Sequence, residues 1–183
     1  MQHIADNREH CPQLHQAGYE YSTWQVVLDN VPYAVMGVLG AVILSRWNGW
    51  AAGAYAAYTV SGAVWIMWFV CPFCHYYNSR SCPCGYGIVA ARLRPWGGAN
   101  RFAEKFRRHI PVIVPLWIVP AAVGGVTLWR RFDWTMLWLL VAFAADAFVA
   151  LPLMARLYGC GHCPQNADCP WMFKQNPKGD FAF

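Results

Sequence analysis

Residues 50–70 read WAAGAYAAYTVSGAVWIMWFV and are followed at once by Cys71-Pro72-Phe73-Cys74-His75. Not one of these 21 residues is charged. As a helix rising about 1.5 Å per residue, the stretch matches the roughly 30 Å hydrocarbon layer of a bilayer. Upstream, Trp24 to Leu44 is a second apolar run, with one acidic residue, Asp29, near its start at the level expected for the interface, and it ends in Ser45-Arg46-Trp47-Asn48. The turn between the two is so short that they must pair as an antiparallel hairpin, with Gly53, Ala54, Ala57, Ser61 and Gly62 offering small surfaces for close contact. Downstream, a third run lies between His109 and Trp129, interrupted by Pro111, Pro115 and Pro120, and a fourth extends from about Trp134 to Tyr158. The prolines predict an irregular start or a kink in the third run.

The composition agrees with that reading. Hydrophobic residues make up 57% of the 183-residue chain and charged residues 13%, too few to cover the surface of a soluble domain of this size. The expected fold is an all-α integral membrane protein: four transmembrane helices in an antiparallel bundle, over about 24–45, 50–70, 110–129 and 133–158. A polar tail of residues 1–23 precedes it, a Cys-rich amphipathic loop of residues 71–109 divides it, and a Cys-rich tail of residues 159–183 follows. The tail before Trp24 carries Asp6, Arg8, Glu9 and Glu20 and lacks the pattern of a secretory signal, so the first span is expected to direct its own insertion. Trp24, Trp47, Trp50, Trp129 and Trp134 fall at span ends, as an aromatic belt requires.

Charge distribution predicts sidedness. The central loop holds Arg80, Arg92, Arg94, Arg101, Lys105, Arg107 and Arg108, and the tails add Arg8, Arg156, Lys174 and Lys178; the two opposite turns hold Arg46, Arg130 and Arg131. Eleven against three places the loop and both termini in the cytoplasm, with the chain in an inner, cytoplasmic membrane. The net charge of +5 does not point to nucleic acid, because the basic residues border apolar spans and not a polar domain. Ile88 to Leu93 and Phe102 to Arg108 read as short amphipathic helices whose cations reach headgroups.

The eight cysteines occupy three places: Cys11; Cys71, Cys74, Cys82 and Cys84; and Cys160, Cys163 and Cys169. An even number of crossings separates these places, so a four-span chain puts every thiol on one face. The loop set reads CPFCH, six residues, then CPC. A two-residue spacing lets both sulfurs of a CxxC turn reach one metal, and a second pair completes four-fold ligation. Cys160, Cys163 and Cys169 with Cys11 as the fourth ligand make another set. Two four-thiolate sets suit iron–sulfur clusters or zinc, and proline after cysteine at Cys11, Cys71, Cys82, Cys163 and Cys169 tilts the expectation toward iron–sulfur. Cys71, Cys74 and His75 also match the CxxCH pattern of c-type haem attachment, which requires an extracytoplasmic face and leaves six cysteines unexplained. Disulfides would also use an even number of cysteines.

The histidines lie in the tails or at span ends, so a haem clasped between mid-span histidines is not expected; His10, His75, His109 and His162 are candidate secondary ligands. Asp146 is the one acidic residue in mid-span. It reads either as a proton relay or a contact with a quinone or partner subunit, or as a neutral acid bonded to backbone or to Tyr55 or Tyr58. No Ser/His/Asp set, phosphate-binding glycine loop or catalytic carboxylate pair is evident.

Four spans with paired surface cysteines resemble, in architecture alone, the quinone-linked disulfide-forming membrane proteins and the small mercury-transport proteins. The first group carries its reactive cysteines outside the cytoplasm and the second carries cysteines within a span, and neither holds here. There is a looser likeness to membrane-bound ferredoxin-like subunits of respiratory reductases, whose tandem four-cysteine runs are absent. The functional expectation is a subunit of a membrane redox complex that transfers electrons between a soluble partner and a membrane component. Soft-metal binding or transport, thiol–disulfide exchange and a zinc-stapled anchor are the alternatives.

Overall fold

The computed structural model describes residues 20–156. The readings placed on Cys11, Cys160, Cys163, Cys169, His10 and His162 lie outside the described residues. Helix α1 (Thr23–Ser45) starts at Ser22, where a capping box joins Ser22 and Gln25 reciprocally. After a two-residue turn capped by Asn48, α2 (Gly49–Phe69) returns. The loop beyond it holds a short 3₁₀ turn, Cys71–Phe73, and helix α3 (Tyr86–Leu93). Helix α4 (Phe102–His109) leads through a 3₁₀ turn at Ile110–Val112 into α5 (Pro115–Arg130), so the third span does start irregularly where its prolines fall. Helix α6 (Trp134–Ala145), capped by Asp133, runs into a π-helical segment, Asp146–Ala150, and then α7 (Leu151–Met154).

Four helical stretches are long and apolar enough to cross a membrane, and the protein is an all-α membrane bundle. Helix α1 lies at its centre and packs on α2, α5, α6 and the π segment. Met36, Ile43 and Leu44 of α1 meet Tyr55, Leu116, Met136, Phe143, Ala147 and Leu151 in a continuous core. Outward-facing residues such as Val38, Val60, Phe148 and Val149 remain exposed in the isolated chain, which is the surface lipid covers. Trp50 and Trp129 are 86% and 92% exposed at span ends, as interfacial anchors should be. The two short turns lie on the same side, because Arg46 of one bonds Asp133 of the other at 3.2 Å.

The prolines of the third span also explain its contact with α2. Pro120 has no N–H, so the carbonyl of Leu116, four residues earlier, loses its helical partner. The Tyr55 hydroxyl donates to that carbonyl at 2.9 Å. One turn on, the Tyr58 hydroxyl donates to the carbonyl of Val112 in the 3₁₀ break. Tyr55 and Tyr58 are thus engaged by proline-disrupted backbone and not by Asp146, whose Oδ2 is buried without a partner among the described residues.

Candidate functional site

The loop after α2 folds into a compact pad through its own backbone. Cys74 N–H bonds the Cys71 carbonyl at 3.1 Å, Tyr77 N–H the Cys74 carbonyl at 3.1 Å, and Gly85 N–H the Cys82 carbonyl at 3.1 Å. Gly97 N–H to Pro72 O at 2.9 Å and the Tyr77 hydroxyl to Arg94 O at 2.7 Å close the loop on itself. Two glycines are demanded by this geometry. Gly85 has φ +73°, which disfavours any L side chain, and a Cβ on Gly87 would run into the Tyr76 carbonyl.

The pad is fastened to α1. Tyr21 N–H donates to Arg80 O at 3.2 Å, and the Asn30 amide donates both to Val26 O at 2.8 Å and to Cys84 O at 3.1 Å. Phe73 is buried against Gly97, and the cations of Arg101 and Lys105 lie 5.9 and 5.5 Å from its ring centre.

The loop cysteines are all free thiols. Cys82 and Cys84 have their sulfurs 3.6 Å apart, in hydrogen-bonding contact. That is far beyond the roughly 2.05 Å of a disulfide bond. It is close to the separation of about 3.8 Å for two sulfurs sharing one tetrahedral metal with bonds of about 2.3 Å. The pair is chemically asymmetric. The hydrogen bond from Cys84, aided by backbone N–H groups that include Gly87 at 3.4 Å, brings the Cys82 thiol down to about 7 despite its burial. Cys84, as the donor to Cys82 and itself buried, is pushed well above the ordinary thiol range, and burial likewise pushes the neighbouring Cys71 thiol up to about 12. Tyr86 lies beside the same sulfurs. Burial, then the charges of Cys84, Cys71, Asp29 and Cys82, push its phenol up to about 12.

Cys71, Cys82 and Cys84 thus share one neighbourhood. Among the described residues, no group of three or more Cys, His, Asp or Glu side chains is gathered as a metal-ion site. His75 stands edge-on to Tyr76, whereas His109 stacks on Phe69 and accepts a hydrogen bond at Nδ1 from the Trp65 indole at 3.2 Å. These two histidines therefore have aromatic neighbours of their own. The residue that sequence reasoning placed only at an interface is Asp29: it is 8% exposed, on α1, near Tyr86. Its signal in the sequence is that it is the one acidic residue of the first apolar run.

No protein family, curated protein or solved structure matches the chain.

Proposed function

We propose that the thiols of this loop carry electrons between a soluble partner and a membrane component, with Cys82 and Cys84 as a reacting dithiol. The observation that carries the reading is the 3.6 Å contact between a thiol poised near neutrality and one that holds its proton. A dithiol exchange needs such a pair: the lower-pKa sulfur attacks as thiolate and the second closes the disulfide. Two sulfurs suffice for it, and two are in contact. The charge count puts the site in the cytoplasm, where disulfides persist poorly but transient, catalytic ones do form.

A second reading keeps the thiolates as ligands. Four cysteines within 14 residues, three of them sharing one electrostatic neighbourhood, favour a metal centre, either an iron–sulfur cluster or zinc. Cys82 and Cys84 would bind a single metal atom at their separation, whereas a four-iron cluster gives each thiolate its own iron. This favours a mononuclear or two-iron centre within that reading. Other subunits and quinone would be the redox partners in either case.

One preparation decides between them. Anaerobically purified protein in detergent is assayed for metal and acid-labile sulfide, and a Cys84→Ser variant is exposed to a disulfide substrate. Metal-free protein, two thiols lost and regained reversibly, and a stable mixed disulfide on Cys82 in the variant support the dithiol. Stoichiometric iron and sulfide, with a visible band that bleaches on reduction, would transfer the proposal to the cluster.

A further inference from the structure

Two cations share one ring just beyond the end of α2. The Arg101 guanidinium lies 5.9 Å and the Lys105 ammonium 5.5 Å from the centre of the buried Phe73 ring. A third cation, Arg94, stands 5.9 Å from the Phe69 ring centre and donates to the Trp68 carbonyl at 3.4 Å. The rings attract these groups, but a ring has no net charge with which to neutralise them. Carboxylates do not neutralise them either. Residues 71–109 hold seven Lys and Arg against Glu104 alone. Glu104 approaches Arg101 at 3.8 Å with both side chains exposed, which makes a weak pair. Lys105 and Arg94 have no carboxylate partner among the described residues.

The same place borders the hydrocarbon surface. His109, at the end of α4, stacks on Phe69 with ring centres 5.0 Å apart and accepts from the Trp65 indole, which holds α4 against the last turns of α2. Along α2, Val60, Val64 and Trp68 recur at four-residue spacing and are exposed, so they form one apolar strip on a helix that faces lipid. The strip ends at Trp68, whose carbonyl receives Arg94. Unneutralised positive charge therefore stands at the head of an apolar strip, and an amphiphile with an anionic head and hydrocarbon chains is complementary to both.

We infer that Arg101 and Lys105, flanked by Arg94, bind the phosphate of an anionic phospholipid whose acyl chains lie along Val60, Val64 and Trp68. The inference goes beyond the thiol chemistry proposed above and does not depend on it. A lipid of net negative charge fits better than a zwitterionic one, because a choline group would bring its own cation to a patch that has almost no carboxylate to receive it. Guanidinium groups add paired N–H donors suited to phosphate oxygens.

The test uses the full-length chain in detergent micelles doped with equal amounts of phosphatidylglycerol and phosphatidylcholine, and counts the lipids that stay bound by native mass spectrometry. Wild type should retain phosphatidylglycerol in preference to phosphatidylcholine. Arg101→Gln combined with Lys105→Gln should lower that preference at least about fivefold, the factor that a single cation near an anionic lipid surface contributes. Arg130→Gln combined with Arg131→Gln, an equal loss of charge at the opposite turn, should leave it unchanged. Equal losses in the two double variants would reduce the effect to overall charge and overturn the inference, as would a wild type that retains both lipids alike. Inorganic phosphate in excess should not displace the lipid, because it has no chains to lie on α2; displacement would mark a site for a free anion and overturn the lipid assignment. Where the loop double variant cannot be purified, Arg94→Gln takes its place: a lowered preference supports the site and an unchanged one overturns it.

Discussion

Cys82 and Cys84 lie two positions apart in the chain and are shifted in opposite directions in acidity, and the largest cause for each is their contact. A thiolate that accepts a hydrogen bond from a buried neighbour is stabilised, and the neighbour that donates it cannot easily lose its proton. Alkylation of Cys82 by a small neutral reagent should therefore follow a titration near pH 7, where the thiolate forms, and not the usual thiol range. In Cys84→Ala, which has no donor at that place, the Cys82 profile should move up toward the usual thiol range. A second residue-scale prediction concerns Tyr55, which serves the Leu116 carbonyl that Pro120 leaves free. Tyr55→Phe should destabilise the protein by about 1 kcal/mol in thermal unfolding in detergent. In a Pro120→Ala background the helix can satisfy that carbonyl itself, so the same substitution should cost measurably less.

At the scale of elements, α1 and α2 approach closely where Gly40 faces Tyr55. A Cβ built on Gly40 would lie 2.5 Å from the Tyr55 hydroxyl oxygen, closer than side-chain atoms tolerate. Gly40→Ala should therefore push Tyr55 off the Leu116 carbonyl, lowering unfolding stability by about 1–3 kcal/mol. Gly53→Ala, with nothing within 4 Å of the added carbon, serves as the neutral control on the same hairpin. The small residues of α2 were legible in the sequence as contact surface, but which ones bear contact was not. Gly53 faces open space, Gly62 meets Ile113 and Leu116, and Gly40, unremarked beforehand, carries the tightest approach. The run of prolines did announce the break between α4 and α5, since Pro imposes that wherever it falls.

For the whole molecule, topology gives a direct measurement. In inverted membrane vesicles, a membrane-impermeant maleimide should label the loop cysteines while leaving a cysteine placed at Asn48 untouched, and intact cells should give the opposite result. Labelling of both from one side would refute the four-span arrangement, and a reversed pattern would refute the cytoplasmic assignment alone. The number of spans and the all-helical fold follow from the sequence, because the bilayer demands long apolar helices and allows few ways to arrange them. The sequence also named Cys71, Cys74, Cys82 and Cys84 as one group by spacing. Spacing could not say which sulfurs touch, because that depends on Gly85, Gly87 and Asn30 bending and anchoring the loop on α1. Nor could it show that Asp29 is buried. An acidic residue near a span end reads as interfacial until the packed chain covers it, and burial is a property that only tertiary contact creates.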